Sequence, residues 1–282
     1  MSAPESAYPD LSGQVALVTG GGRGLGRTFS LALAAAGAAV AVVARSKTEI
    51  AETVALIEAA GGRAQDFSVD VSDRAGVEQT VAAVTRDLGP VDLLINNAGV
   101  LPPAGPVWDT DPEAWWRNQE VNLRGPLLFI HAVVPDMIAR QRGRIVNVAS
   151  GAGITAMPNA SAYGVSKAAL IRLTEMLALE ARPYGVSAFA ITPGTVRTPM
   201  TEETLSSPEL AKWMPWLTAT LEEGRDFPAE RAVELLMLLA SGEADVLTGR
   251  FLSIRDDLEM LLEHAEEVKA RELYTLRLNQ LE

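Results

Sequence analysis

Cysteine is absent from the 282 residues. That excludes disulfides, a thiol nucleophile and metal or iron–sulfur centres ligated by cysteine. Histidine is nearly absent as well: His131 and His264 are too few and too far apart for a histidine-rich centre, so no metal is expected. Positive charge is in deficit, with 24 Lys+Arg against 36 Asp+Glu and a net charge of −12. This balance argues against nucleic acid or an anionic membrane as partner and disfavours an acidic protein. The uncharged stretch Thr28 to Ala44 is interrupted by Gly37 and falls short of the ~20 apolar residues of a membrane span. Glu5 and Asp10 precede any apolar run, so no signal peptide is expected and the chain reads as cytoplasmic.

What is present is core material: 48% of residues are hydrophobic and 21% charged, which excludes global disorder. Strand-like runs Val15–Thr19, Val40–Val43, Gln65–Val69, Val91–Ile95, Arg144–Val148 and Val186–Thr192 alternate with helical stretches. The helices are expected at Gly26–Ala36, Thr48–Ala60, Arg74–Leu88, Trp115–Arg140 and Ser161–Arg182, the fourth with a break near Gly125-Pro126. Such alternation implies right-handed βαβ units. The expected fold is α/β: a single doubly wound parallel sheet, with its ligand outside the carboxyl ends of the strands.

The first strand runs into Thr19-Gly-Gly-Gly-Arg-Gly-Leu-Gly26. Glycines let backbone N–H groups approach a phosphate, and the following helix aims its positive end at the same place. Gly20, Gly24, Leu25 and Gly26 therefore read as a pyrophosphate cradle. An acid about 20 residues on would bind the ribose 2′-hydroxyl of NAD. Counting 20 from Gly24 reaches Ala44, followed by Arg45 and Ser46. With no carboxylate to repel a 2′-phosphate and a guanidinium to pair with it, NADP(H) is favoured, with Arg23 offering a second contact.

Tyr163 and Lys167 stand four apart on an expected helix and share a face. An ammonium beside a phenol lowers its pKa from ~10 towards working pH, giving a usable general acid. Ser150, at the end of a strand, lies at the same carboxyl edge.

With these pieces in order, the chain resembles the short-chain dehydrogenase/reductase family over roughly residues 11 to 255. The matching motifs are Thr19-Gly-x-x-x-Gly-x-Gly26, Asp70-Val71, Asn96-Asn-Ala-Gly99, Asn122, Ser150, Tyr163-x-x-x-Lys167, and Pro193-Gly194 with Thr198. The resemblance implies a Rossmann-type domain over 1–255 and a C-terminal extension over 256–282. It implies that Tyr163 exchanges a proton with the carbonyl or alcohol oxygen and that Ser150 hydrogen-bonds it. Lys167 would hold the nicotinamide ribose, and Asn122 would position a water relaying protons from Lys167. Asp70 and Val71 would contact adenine, and Asn97, Ala98 and Gly99 the adenosine ribose side. Pro193, Gly194 and Val196 would line the cofactor, with Thr198 at the nicotinamide carboxamide.

Three departures from the family shape further expectations. Beyond Arg255, Asp256-Asp257 and about 25 further residues follow, with Leu258, Leu261, Leu262, Ala265 and Val268 spaced for an amphipathic helix and Tyr274–Leu278 alternating like a strand or extended arm. This tail is expected either to pack on the apolar Met200–Leu221 segment of its own subunit or on the site rim of a neighbour, narrowing the pocket, or to cover the edge of the last strand. Met200, Trp213, Met214, Trp216 and Leu217 suggest an apolar substrate pocket, whereas Trp115 and Trp116 read as helix packing. The Leu127-Leu-Phe-Ile-His-Ala132 stretch is neutral where relatives acting on acyl carrier protein are basic, and His131 reads as a core or interface residue.

The leading expectation is NADP(H)-dependent interconversion of a free, mainly apolar ketone and its alcohol. A 3-oxoacyl reductase working on a carrier protein or coenzyme A is the second reading, and a nucleotide-binding regulator without catalysis the third. A homodimer or homotetramer is expected through the Gly125–Arg140 and Ser161–Arg182 helices.

Overall fold

The computed structural model describes residues 8–278; the first seven residues of the expected domain and the last four of the extension lie outside the described residues. Its elements run β1 (Val15–Thr19), α1 (Gly24–Ala35), β2 (Ala39–Ala44), α2 (Lys47–Ala59), β3 (Arg63–Ser68), α3 (Arg74–Asp87) and β4 (Leu93–Asn96). They continue with α4 (Pro112–Gln119), α5 (Gly125–Ala139), β5 (Gly143–Val148), α6 (Ser161–Ala181) and β6 (Val186–Thr192). Three short helices follow, α7 (Pro199–Ser206), α8 (Pro208–Trp213) and α9 (Pro215–Glu222), then α10 (Ala229–Ser241), β7 (Phe251–Ser253), α11 (Leu258–Glu263) and α12 (Ala265–Ala270).

The seven strands form one sheet in the order β3-β2-β1-β4-β5-β6-β7, and all six pairings are parallel. Side chains alternate between its faces with period two. Ala16, Val18, Val40, Val42, Leu93 and Ile95 meet Phe29 and Leu33 of α1 and Leu235, Leu236 and Leu239 of α10. Leu17, Ala41, Val43 and Leu94 meet Val77 and Val84 of α3 and Phe129, Val133 and Met137 of α5. Both faces are covered, which is the doubly wound arrangement. The strand order reverses between β1 and β4, where such sheets open a crevice at their carboxyl ends.

Two stretches differ from the sequence expectation. The Trp115–Arg140 helix is interrupted not at Gly125-Pro126 but just before it, by a π-helical segment over Glu120–Arg124. Gly125 packs so closely on α3's approach that a Cβ there would lie 2.9 Å from the Val71 side chain. Pro126 stands at the start of α5, where its missing N–H costs little.

The tail does not pack on Met200–Leu221 of its own chain. Leu261, Ala265 and Val268 are buried in the core beneath α10, and the Tyr274 carbonyl accepts a hydrogen bond from Phe251 N at 2.8 Å, against the open edge of β7. Residues 275–278 run on as an irregular arm rather than a strand. Edge-covering is the arrangement adopted. No helix among the described residues is long and apolar enough to cross a membrane.

Candidate active site

The loop after β1 turns sharply, with Gly20 at φ +65° and Gly24 at φ +52°, a region that favours glycine. A Cβ on Gly26 would sit 2.1 Å from the Gly20 carbonyl oxygen, so only glycine permits this approach of helix to loop. Buried Thr19 ties the loop to the end of β4: its hydroxyl accepts from Asn97 N at 3.0 Å and Ala98 N at 3.1 Å, while Asn97 Nδ2 donates to the Thr19 carbonyl at 2.9 Å. The cradle is thus braced from both strands flanking the switch point.

This cradle is one end of a cavity of about 710 Å³ at the carboxyl edge of the sheet. Gly20, Arg23, Gly24, Leu25 and Gly26 line it, as do Arg45 and Ser46 after β2, Asp70 and Val71 after β3, and Asn97, Ala98 and Gly99 after β4. Pro193, Gly194, Val196 and Thr198 after β6 close the opposite side, and Ser150, Tyr163 and Lys167 stand between. Every expected cofactor residue therefore faces one space. Its shape and glycine-lined wall fit a dinucleotide.

The charged groups differ in availability. Arg23 is ion-paired with Glu203 of α7 at 2.7 Å and lies 3.8 Å from Glu49. Arg45 has no ion pair among the described residues. Asp70 accepts from the Ser72 backbone and hydroxyl and from Arg117 Nη2 at 2.7 Å. Burial alone would raise its pKa, but the Ser72 hydrogen bonds and the Arg117 charge outweigh it and hold the carboxyl below its usual value.

Asn122 does not line the cavity; it is fully buried behind it. Its Oδ1 accepts from Val100 N at 2.8 Å, and its Nδ2 donates to the Val100 carbonyl, Asn118 Oδ1 and Ser166 Oγ. The Asn122 side chain holds the loop after β4, with its Oδ1 3.3 Å from where a Cβ on Gly99 would lie.

Lys167 is almost fully buried and donates to the Val148 carbonyl at 2.8 Å, its ammonium 5.5 Å from the Tyr163 ring centre. Burial, with no carboxylate beside it, lowers its pKa from 10.5 to about 8. Burial likewise pushes the Tyr163 phenol above its ordinary value, and hydrogen bonding with Ser150 opposes the shift. The expected lowering of Tyr163 by Lys167 is therefore overcome by desolvation in this state: the phenol is held protonated. Ser150 Oγ accepts from Ala152 N at 3.2 Å, and its hydroxyl is the hydrogen-bonding neighbour of the Tyr163 phenol.

Over the Tyr163 end, α7 to α9 form an apolar lid. Met200, Met214, Trp216 and Leu217 face the cavity together with Leu101 and Met157. Trp213 packs beside them near Gly105 rather than facing the space. Trp115 is a packing residue, its Nε1 donating to Ser161 Oγ at the start of α6, and Trp116 is exposed. Sequence reasoning missed Met157 and Asn118. The second had a legible signal, since Asn118 and Asn122 stand one helical turn apart, and Asn118 Nδ2 holds the Val100, Leu101 and Pro102 carbonyls. Among the described residues no group of acidic and histidine side chains is placed to hold a metal.

A doubly wound sheet with a glycine cradle at its switch point and a serine, tyrosine and lysine at the same edge defines a nicotinamide-dependent oxidoreductase acting on small molecules. The short chain dehydrogenase family matches residues 14–209, and the chain belongs to that family. It is 36% identical over 274 residues to a short chain dehydrogenase of Pseudocercospora fijiensis (strain CIRAD86), covering 94% of this chain and 87% of that protein. Among solved structures, a gluconate 5-dehydrogenase from Burkholderia cenocepacia in complex with NADP and tartrate superimposes with a TM-score of 0.78 at 30% identity, covering 86% of this chain and 94% of that one. An NAD⁺-bound xylitol dehydrogenase gives 0.80 at 32% identity, covering 86% and 98%.

Proposed function

We propose that this chain is an NADP(H)-dependent reductase of free, mainly apolar ketones, or the corresponding alcohol dehydrogenase in reverse. The observation that carries the reading is the facing of Ser150, Tyr163 and Lys167 by an apolar wall of Met157, Met200, Met214, Trp216 and Leu217. In reduction, Tyr163 Oη donates its proton to the substrate oxygen, and the Ser150 O–H stabilises the charge developing there. Buried Lys167 holds the ribose hydroxyls and supplies the positive field beside the phenol. The nicotinamide, when bound, supplies the hydride; one carbonyl, one hydride and one proton give one alcohol. Nothing cationic on that wall offers to pair with a carboxylate or an acyl-carrier phosphate, and on the lid Glu202, Glu203, Glu222 and Glu223 outnumber Lys212. These features speak against gluconate-like acids and against a carrier-bound 3-oxoacyl substrate. Oxidation of NADPH followed across a panel of neutral, acidic and thioester-linked ketones tests the reading; turnover confined to the charged or thioester-linked compounds overturns it.

For the cofactor, unpaired Arg45 is the 2′-phosphate ligand, with Ser46 capping α2 beside it. Ala44→Asp combined with Arg45→Ile is expected to move the ratio of kcat/KM towards NADH by roughly 10- to 100-fold, about the worth of one charged hydrogen-bonded pair. Equal use of NADH and NADPH by the unaltered enzyme would show the assignment to be wrong.

For assembly, Leu127 on α5 and Val165, Met176 and Leu179 on α6 are large apolar side chains left exposed on neighbouring helices. A second copy of the chain is the expected cover, paired symmetrically as a homodimer or within a homotetramer. Light scattering at micromolar concentration checks this, and a monomer at all concentrations would refute it.

A further inference from the structure

Directly behind Ser150 lies a small apolar core of its own: Ala149, Ile171, Ala190 and Phe251, with Leu276 of the C-terminal arm packed against it. Ala149 is the residue before the serine. Ile171 stands one turn beyond Lys167 on the helix that also carries Tyr163. The turn after Ser150 rests on that same stretch without slack, since a Cβ on Gly153 would lie 2.8 Å from both Ile171 Cδ1 and the Lys167 carbonyl carbon. Leu276 therefore presses, through one layer of side chains, on the elements that fix serine against lysine.

Polar ties secure the same arm. Glu175, one turn beyond Ile171 on α6, is a buried carboxylate with a side chain only 6% exposed. It accepts from both Nη atoms of Arg277, at 2.7 and 3.3 Å, and from Arg172. Arg277 also grips Glu272 at 2.8 and 3.0 Å, and Arg172 donates to the Leu276 carbonyl. Covering an edge strand requires backbone pairing and polar side chains. It does not require a carboxylate buried on the catalytic helix, which is costly unless its partner is present. Arg172 of the same helix supplies one partner to Glu175, and the docked arm supplies the second, two-pronged one through Arg277.

We propose that Leu276 and Arg277 are positioning residues: the C-terminal arm clamps α6 to the β5–β7 end of the sheet and holds Tyr163 and Lys167 in register with Ser150. The inference rests on the carbonyl-reduction reading for its kinetic consequence, though not for its structural one. Displacements of about 1 Å at a reacting centre cost up to ~10²-fold in rate. Full-length Leu276→Ala and Arg277→Ala, assayed well below their melting temperatures and at saturating NADPH, are accordingly expected to lose about tenfold or more in kcat, a larger change than in the NADPH dissociation constant. Leu276→Met, which conserves volume, restores the rate. Amide hydrogen exchange speeds up in residues 150–154 and 167–175 of the alanine variants. Should Arg277→Ala fail to fold, the double variant with Glu175→Gln removes the buried carboxylate that has lost its Arg277 partner; it is expected to regain stability but not kcat. Variants that melt earlier yet turn over like the wild type would reduce the arm to a structural brace and overturn the proposal. Unchanged exchange in 150–154 in Leu276→Ala overturns the clamp whatever the reaction proves to be. If Tyr163→Phe turned over normally while exchange did respond, the clamp would stand and the carbonyl reading would fall.

Discussion

Tyr163→Phe is expected to reduce ketone turnover by at least the ~10²–10⁴-fold attributed to general acid catalysis, with NADPH binding retained. The substitution removes one hydroxyl and leaves the ring that packs with Leu101, Met200 and Met214, so the lid and the fold lose little. What is lost is the proton donor. Burial keeps that phenol protonated, and Ser150 is its hydrogen-bonding neighbour. Ser150 cannot replace it, because a serine hydroxyl orients and stabilises the substrate oxygen without giving up its proton at working pH. The measurement is kcat and KM for a reducible ketone alongside the NADPH dissociation constant from fluorescence. Near-wild-type kcat in the variant would sink the mechanism.

Much of this site was legible because its parts are local in sequence. A glycine cradle must follow β1 and open α1, and the Tyr163–Lys167 pair is one helical turn. Residues at strand ends are brought together by the doubly wound topology itself, so Ser150 could be placed at the carboxyl edge from alternation, whereas Asp70, Asn97 and Thr198 were legible through the family resemblance. The less legible features depend on tertiary reach. Nothing near Arg23 in the sequence announces Glu203, 180 positions away, as its partner. Asn122 sits buried behind the cavity because its partners, Val100 after β4 and Ser166 on α6, come from distant parts of the sequence. The sign of the Tyr163 shift was misjudged for a similar reason. Pairing with Lys167 is visible in spacing, whereas desolvation by the lid is visible only once α7 to α9 are packed. The tail's amphipathic spacing was read correctly as ordered, but which apolar surface it would choose turned on Glu175 and the free edge of β7.

Lys167 sets activity and stability against each other, and replacing it is expected to separate the two. Its folded pKa of about 8 lies below the 10.5 of an unhindered lysine. Below pH 8 both folded and unfolded chains carry the proton, and the folded state bears a constant penalty for holding it in a desolvated site. Two and a half units correspond to about 3 kcal/mol. As pH rises above 8 the folded chain sheds the proton while the unfolded chain keeps it, so the penalty shrinks and the wild type gains stability. Lys167→Met removes the charge at similar length but strands the Val148 carbonyl, at a cost of about 1–3 kcal/mol that does not depend on pH. The absolute change near neutrality is therefore small. Its pH dependence is not: the stability of Lys167→Met relative to wild type should fall by about 2 kcal/mol between roughly pH 7 and pH 9.5. Urea midpoints at several pH values measure this. Ketone turnover should be lost throughout that range, because the variant has neither the ribose ligand nor the positive field beside Tyr163. A relative stability that stays constant with pH would mean that the folded chain holds the Lys167 proton as firmly as the unfolded chain does, and the desolvation penalty argued here would fall.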